Sequence, residues 1–320
     1  MITKNIKKIR GVVILGKIKL ITHTDLDGVG CYIVLKKVYK NDEIECNFLN
    51  YNDTQKFFNE FNDYQKFDRI FITDLSFSKD SIEFNKLLEI ERNNIPVIYI
   101  DHHKTTFKGL NNQIINEENS ATLLLFNYFN NINNLSNSLK EFAECVSLWD
   151  TWQWKNHKNI EKVNLAKNLS RIFKYLGING FNKSILCYDF NKNEKFILPS
   201  YLKLISDREF EHTNLYVTRK YQTMKIVYFD GYKTALIFAE KNSSEIADYI
   251  LNNEEIKEDI DLVMIINLDI KNVSFRSSLN SNVDVSTIAK RYGGGGHFHA
   301  AGCQIGDNYI IKELIREIII

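Results

Sequence analysis

The sequence has few of the features that mark secreted, zinc-binding or membrane proteins. Its five cysteines are an odd number, widely scattered and without a CxxC pair, which argues against a disulfide framework or a zinc knuckle and favours reduced thiols in the cytoplasm. No run of about 18 apolar residues occurs, so no membrane span is predicted. The basic residues of the first ten positions precede neither a long apolar core nor a small-residue cleavage site, which argues against a secretory signal.

The chain also lacks a surplus of either charge. Its 41 Lys and Arg residues against 40 Asp and Glu residues give a net charge of +1, whereas proteins that wrap long nucleic acids are usually strongly basic. A local basic groove over a short substrate is still compatible with this balance. At 320 residues the chain is long enough for about two domains.

Short apolar segments alternate with amphipathic ones in the first half of the chain. Strand patterns at 17–22, 45–49, 67–72 and 96–100 are interspersed with helical patterns at 28–39 and 81–93. This alternation predicts an α/β fold with a parallel sheet flanked by helices. The Asn-rich segment 130–137 is predicted to be a surface loop, and 139–154 to be helical. The three tryptophans in 149–154 favour helix packing, and Trp152 is the best candidate if any of them stacks on a base.

The second half has a different pattern. The pattern there predicts a smaller α/β domain with a mixed sheet. It contains a hairpin signal at Asp230-Gly231, two further strands, a closing strand and a closing helix. We therefore expect a metal-binding catalytic domain at 1–205, a linker helix at 206–224 and a substrate-binding domain at 225–320, with the active site in the cleft between the domains.

Carboxylates and imidazoles gather where the predicted strands end. The apolar run 96–100 passes directly into Asp101-His102-His103, and α/β proteins bind ligands beyond the carboxyl ends of their strands. The full set is His23, Asp25, Asp27, Asp74, Asp101, His102, His103 and Asp150. Imidazoles and carboxylates without thiolates suit Mn²⁺ or a similar ion, and a set of this size can hold two. Two metals about 3.5–4 Å apart are a standard device for hydrolysing phosphate esters.

Taken in their order along the chain, these residues resemble the four motifs of the DHH phosphoesterase superfamily. The matching segments are His23-Thr24-Asp25-Leu26-Asp27-Gly28, Asp74, Asp101-His102-His103 and Asp150. Residues 293–302, Gly-Gly-Gly-Gly-His-Phe-His-Ala-Ala-Gly, resemble the glycine-rich signature of the associated C-terminal domain. The superfamily includes RecJ-like exonucleases, oligoribonucleases that also act on 3′-phosphoadenosine 5′-phosphate, cyclic-dinucleotide phosphodiesterases and family II pyrophosphatases, which carry a different C-terminal domain.

The resemblance implies a role for each of these side chains. One metal would be held by Asp25 and Asp74, with or without His23, and the other by Asp27, Asp74, His102 and Asp150, with Asp74 bridging. Asp101 would orient a histidine, and His103 would face the scissile phosphate and assist the leaving oxygen. The nucleophile would be a metal-bound hydroxide. In the C-terminal domain, Gly294, Gly295, Gly296 and His297 would cradle an anion with backbone N–H groups, and Arg276 would contact substrate phosphate.

One departure from the family pattern leaves it open whether His23 is a metal ligand. In pyrophosphatase and oligoribonuclease relatives the first histidine lies four residues before its aspartate, and RecJ-like members lack it, whereas His23 lies two residues before Asp25. A spacing of two on a strand would place both side chains on the same face, so shared ligation is feasible.

The function predicted first is a Mn²⁺-dependent phosphodiesterase that hydrolyses short oligonucleotides to 5′-mononucleotides, with Mg²⁺ or Co²⁺ as substitutes. The alternatives are a RecJ-like single-strand DNA exonuclease, a hydrolase of cyclic dinucleotides or 3′-phosphoadenosine 5′-phosphate, and a nucleotide-binding protein that does not cleave. The expected partner is short single-stranded RNA or DNA or a small nucleotide, and the sequence leaves a homodimer open.

Overall fold

The computed structural model describes residues 16–305 except 257 and 258, together with two short paired strands, β1 (Lys8–Ile9) and β2 (Val12–Val13). The chain divides into two units, one ending at Asp207 and the other beginning at Arg208. The predicted closing helix lies outside the described residues. Among the described residues, no helix combines the length and apolar character needed to cross a bilayer.

The N-terminal unit is built on a parallel sheet of five strands, ordered β4-β3-β5-β6-β7. Its elements in chain order are β3 (Lys17–His23), α1 (Leu26–Val38), β4 (Glu43–Leu49), α2 (Tyr51–Glu60), β5 (Arg69–Thr73), α3 (Ile82–Arg92), β6 (Val97–Asp101), β7 (Gln113–Ile115), α4 (Ala121–Asn133), α5 (Asn137–Asp150) and α6 (Ile160–Leu186). The next helix, α7 (Ser200–Gln222), begins in this unit and ends in the other, since the division falls between Asp207 and Arg208.

Alternate residues of each central strand enter different hydrophobic cores. In β6, Ile98 and Ile100 pack into the core formed with α1, α4, α5 and α6, whereas Val97 and Tyr99 pack into the core formed with α2 and α3. Both faces of the sheet are therefore covered, which explains the apolar centres of β5 and β6. The predicted parallel sheet with helices on both faces is confirmed.

Two local predictions in this unit were wrong. Helix α4 continues to Asn133, so the predicted Asn-rich loop shrinks to 134–136, and Asn134 ends the helix with a φ of 47°. Asparagine tolerates this left-handed conformation, and a helix can therefore end on it. Helix α5 stops at Asp150 because Trp152 also has a positive φ, of 60°, and a short 3₁₀ turn, Gln153–Lys155, follows. Helix α2 and strand β7 were not predicted.

The C-terminal unit contains a mixed sheet of six strands, ordered β12-β13-β11-β10-β9-β8, in which β9 and β10 pair in parallel. Its elements are β8 (Lys225–Phe229), β9 (Tyr232–Phe238), α8 (Ser243–Leu251), β10 (Leu262–Asn267), β11 (Asn272–Arg276), α9 (Val285–Arg291), β12 (Gly295–His297) and β13 (Ala300–Gln304). Asp230 and Gly231 both have positive φ, as a two-residue hairpin between twisted strands requires. The predicted mixed α/β architecture is confirmed.

Candidate active site

The turn from β3 into α1 positions the first pair of candidate ligands. Asp25 caps α1, since its Oδ1 accepts hydrogen bonds from the N–H groups of Asp27 (3.1 Å) and Gly28 (3.0 Å), while its Oδ2 lies 2.9 Å from His23 Nδ1. A Cβ on Gly28 would lie 2.1 Å from the His23 carbonyl oxygen, so only glycine fits this turn. Strand β3 ends at His23; the turn, and not the strand alternation that we expected, therefore brings the two side chains together.

Asp27 is buried in the first turn of α1 and faces the start of α4. Its two carboxylate oxygens accept hydrogen bonds from the N–H groups of Ala121 (2.7 Å) and Thr122 (2.9 Å). The Thr122 hydroxyl donates in return to the Asp27 carbonyl (2.7 Å). Asp27 thus satisfies the free N–H groups of a helix N-terminus besides being a candidate ligand.

Asp74 follows β5 directly and lies at the centre of the cluster. Its side chain is buried, with Oδ1 3.4 Å from His102 Nε2 and Oδ2 3.8 Å from His23 Nδ1. The two oxygens therefore face histidines from two different strand ends. Its φ of 55° is unusual for a non-glycine residue, and such backbone conformations concentrate at functional sites.

Asp101, the last residue of β6, orients one of the two adjacent histidines. Its Oδ1 lies 2.8 Å from His103 Nδ1, and its Oδ2 accepts a hydrogen bond from the Thr106 hydroxyl. The Nε2 of His103 faces away from Asp101 and lies 3.5 Å from the Tyr51 hydroxyl. Asp101 thus fixes the imidazole and leaves its second nitrogen available to a ligand.

Tyr51 and Thr106 were missed by the sequence analysis. The Tyr51 ring lies between two site histidines, with ring centroids 5.2 Å from His23 and 6.2 Å from His103. Tyr51 comes two residues after the end of β4, so the strand-end rule that indicated the chelating residues also applies to it. No sequence signal singles out Thr106.

Asp150, at the end of α5, completes the cluster. Its Oδ2 lies 3.3 Å from His102 Nε2. Potential ligand atoms converge within 4.8 Å of one another in three overlapping groups, which are His23, Asp25 and Asp74; Asp27, His102 and Asp150; and Asp74, Asp101, His102 and His103. The structure therefore brings together all eight residues of the predicted cluster.

The charges within the cluster are only partly compensated. Burial, followed by the neighbouring Asp27, Asp25 and Asp101 carboxylates, raises the pKa of Asp150 to about 9. Burial and the Asp25, Asp27 and Asp150 carboxylates also raise the pKa of Asp74 well above its usual range. Burial acts to raise the pKa of Asp25, but hydrogen bonding and charge from His23 outweigh it and lower that pKa to about 2. A bound cation would relieve the remaining repulsion.

Two buried oxygens in the cluster have no hydrogen-bond partner among the described residues, although each lies near a histidine ring. These are Asp74 Oδ2 and Asp150 Oδ2, which accept no hydrogen bond. Uncompensated buried carboxylate oxygens are costly unless paired or bound to a metal. Together with imidazole nitrogens and the absence of thiolates from the cluster, they fit divalent metal ions such as Mn²⁺.

Cys31 lies near this cluster but is not suited to nucleophilic chemistry. It is fully buried, with its Sγ 3.7 Å from the Thr122 hydroxyl. Burial, followed by the Asp27 carboxylate, raises the pKa of the thiol well above its ordinary value. All five cysteines are free.

The glycine-rich segment of the C-terminal unit differs in detail from the predicted anion cradle. The N–H groups of Gly293 and Gly294 donate to the carbonyls of Lys290 (3.1 Å) and Ala289 (2.9 Å), at the end of α9, so these two groups are already engaged. A Cβ on Gly296 would lie 2.5 Å from the Ala301 Cα. The glycines therefore also serve close packing of β12 on β13.

His297 and Arg276 occupy different environments in this unit. His297 is exposed at the end of β12. Arg276 is partly buried, and its Nη1 donates to the carbonyls of Phe275 (2.9 Å) and Ala301 (3.3 Å). Burial lowers the pKa of its guanidinium. The contact of either side chain with substrate phosphate stays a prediction.

A parallel sheet whose strand ends converge on carboxylates and imidazoles suits metal-assisted hydrolysis of phosphate esters. Residues 17–148 match the family model described as DHH family, N-terminal domain, and residues 230–319 match the DHHA1 domain. The chain belongs to the DHH family and is a hydrolase of its phosphoesterase class. Over 302 residues, 90% of this chain and 73% of the relative, it is 32% identical to oligoribonuclease NrnB of Bacillus subtilis (strain 168).

Two solved structures share the fold at low sequence identity. The pGpG-specific phosphodiesterase PggH of Vibrio cholerae matches with a TM-score of 0.56 and 18% identity, over 93% of this chain and 95% of that one. RecJ of Thermus thermophilus, solved in complex with Mn²⁺, matches with a TM-score of 0.58 and 13% identity, over 94% of this chain and 51% of that one. At these identities the likeness establishes the fold alone.

Proposed function

We propose that this protein hydrolyses short oligonucleotides to 5′-mononucleotides with two Mn²⁺ ions, for which Mg²⁺ or Co²⁺ can substitute. The observation that carries the proposal is the position of Asp74. Its two oxygens face His102 and His23, which belong to two different ligand groups. A carboxylate placed in this way can join two ions in one centre.

Each ion would have its own set of side chains. His23, Asp25 and Asp74 would hold one, and Asp27, Asp74, His102 and Asp150 the other. The 2.9 Å distance between His23 Nδ1 and Asp25 Oδ2 supports including His23, although its spacing departs from related sequences. When bound, two such ions activate water and neutralise the phosphoryl oxygens.

His103 would act on the substrate and not on the metals. Its Nδ1–H donates to Asp101 at 2.8 Å, so Nε2 carries a hydrogen that it can donate to a phosphoryl oxygen when the ring is protonated. Burial acts to lower its pKa, but the hydrogen bond and charge of Asp101, with the charges of Asp27 and Asp25, raise it above its ordinary value. A protonated His103 can deliver the Nε2 proton to the leaving 3′-oxygen as the P–O3′ bond breaks.

The choice of short oligonucleotides has two supports. A relative that is 32% identical over 90% of this chain is named an oligoribonuclease. The net charge of +1 provides little general attraction for a long phosphate backbone, so binding would depend on contacts near the reacting phosphate. A short substrate can make all of those contacts.

The test is a substrate panel with purified protein and Mn²⁺. We expect 5′-labelled di- to pentaribonucleotides to be degraded to 5′-mononucleotides, and Asp101→Ala to be slower because His103 loses its anchor. Matched DNA oligomers up to about 30 residues, a cyclic dinucleotide and 3′-phosphoadenosine 5′-phosphate complete the panel. A preference that rises with DNA length would replace the proposal with a RecJ-like exonuclease. No release from any oligonucleotide, or Asp101→Ala equal to wild type, would overturn it.

A further inference from the structure

Three tryptophans form a continuous stack beside the active site. Trp149 and Trp154 are parallel within 13°, with ring centroids 5.6 Å apart, and Trp154 and Trp152 follow at 30° and 6.3 Å. We call these three residues the tryptophan stack. Trp149 immediately precedes Asp150, and Trp152 follows it by two residues. The backbone of Trp152, the outermost member of the stack, therefore lies within about 7 Å of the backbone of Asp150, a candidate metal ligand.

Packing explains two members of the stack but not the third. Trp149 and Trp154 are half-buried and pack against the large core of the N-terminal unit. Trp152 does not belong to that packed set and is 58% exposed. Its φ of 60° lies in the left-handed region, which is unfavourable for a non-glycine residue. Fold stability alone would favour glycine or asparagine at this position, so the exposed indole calls for another explanation.

Neighbouring residues tether the turn that carries Trp152 and place positive charge beside its ring. Gln153 Nε2 donates to the Glu118 carbonyl (2.6 Å), which ties the turn to the loop before α4. Lys155 Nζ lies 4.6 Å from the Trp152 ring centroid, and Lys167 Nζ lies 4.6 Å from that of Trp154. Aromatic platforms with neighbouring cations are how proteins bind single-stranded nucleic acid without reading its sequence.

We propose that Trp152 stacks on a nucleobase of the oligonucleotide whose phosphate is being hydrolysed, with Lys155 beside it to meet a backbone phosphate. This inference rests on the proposed function, since it assumes an oligonucleotide substrate. It assigns the enzyme a base-binding subsite that tolerates every base and favours purines, because purines have the larger π-face. Because the exposed Trp152 ring already stacks on Trp154, little side-chain ordering is needed when the base binds.

The test compares Trp152→Ala and Trp152→Phe with wild type on triadenylate and on three versions that each carry one abasic residue. Base stacking is worth about 1–3 kcal/mol, so Trp152→Ala should raise KM about 5- to 150-fold with kcat nearly unchanged. Trp152→Phe should retain most of the affinity. The effect of Trp152→Ala should disappear on one abasic substrate, which identifies the stacked base. Tyr175→Ala on α6, an equally exposed aromatic at 58%, is the matched control and should behave as wild type.

The outcomes separate this inference from the function on which it rests. If wild type cleaves no oligonucleotide, the proposed function fails. If wild type is active and Trp152→Ala has the same KM on triadenylate, the stacking inference fails alone. It also fails if Trp152→Ala lowers kcat equally on all four substrates together with bound Mn²⁺, because that pattern indicates displacement of Asp150. Should Trp152→Ala not fold, Trp152→Leu takes its place, because leucine keeps an apolar side chain without an aromatic ring: a KM for Trp152→Leu at least about 5-fold above that of Trp152→Phe supports stacking, and a smaller difference refutes it.

Discussion

Metal binding by this centre should release protons, and its affinity should therefore rise steeply with pH. In the metal-free chain the pKa of Asp150 is raised to about 9, and that of Asp74 is raised well above its usual range. At neutral pH at least one of these carboxyls holds a proton that a cation must displace. Each displaced proton changes the dissociation constant about tenfold per pH unit, so Mn²⁺ should bind at least about 30-fold more tightly at pH 7.5 than at pH 6.0.

The same carboxyls should make the metal-free fold sensitive to alkali. A carboxyl whose folded pKa lies above its unfolded value of 3.8 holds its proton longer in the native state. Between pH 3.8 and about 9 the Asp150 carboxyl is protonated in the native chain and ionised in the unfolded chain, so its contribution to stability falls as pH rises across this window. The thermal midpoint of chelator-treated protein should fall in the same direction, and Mn²⁺ should restore it most strongly at the alkaline end.

Calorimetric titration of chelator-treated protein with Mn²⁺ in buffers of different ionisation enthalpy measures both the affinity and the protons released. Asp150→Asn should bind more weakly and release about one proton fewer, because the carboxyl that titrates is gone. The exposed Asp80→Asn is the matched control and should leave both quantities unchanged. A wild-type affinity that is flat between pH 6.0 and 7.5, with no proton released, would refute the electrostatic account of the centre.

Other substitutions probe separate parts of the site. His102→Ala should lower the amount of bound Mn²⁺, measured by elemental analysis. His103→Ala should keep the metal but slow turnover about 10²- to 10⁴-fold, since it removes a proton donor. Equal loss of metal in both variants would contradict the division of roles. Gly28→Ala should lower the free energy of unfolding by about 1–3 kcal/mol, because its Cβ would lie 2.1 Å from a backbone oxygen. Gly295→Ala is the control, since its Cβ would meet open space. Equal unfolding midpoints for the two variants would contradict the steric argument.

The sequence predicted the parallel sheet and its cluster of polar residues for one physical reason. Apolar strands covered on both faces are easy to recognise, and the residue that follows each strand must lie at the ligand-binding edge of the sheet. Asp74 and Asp101 are both found at this edge in the structure. Family resemblance then supplied individual roles that strand position alone does not provide.

Non-local and backbone effects account for what the sequence did not predict. The hydrogen bonds of Asp27 to the start of α4 join residues more than 90 positions apart, and no local pattern records them. Helix α2 begins with polar residues and was overlooked, and with it Tyr51. The glycine segment was interpreted through its freedom of conformation, whereas two of its N–H groups complete the hydrogen bonding of α9.

The central claim is that Asp74 joins two ions in one hydrolytic centre, and the number of Mn²⁺ ions bound per chain tests it most directly. Equilibrium dialysis of wild type and Asp74→Asn, followed by elemental analysis, gives this number. The account predicts two ions in wild type and loss of both in the variant, because each ion loses an oxygen ligand at the same position. Wild type with one ion, or a variant that retains one tightly bound ion, would contradict it.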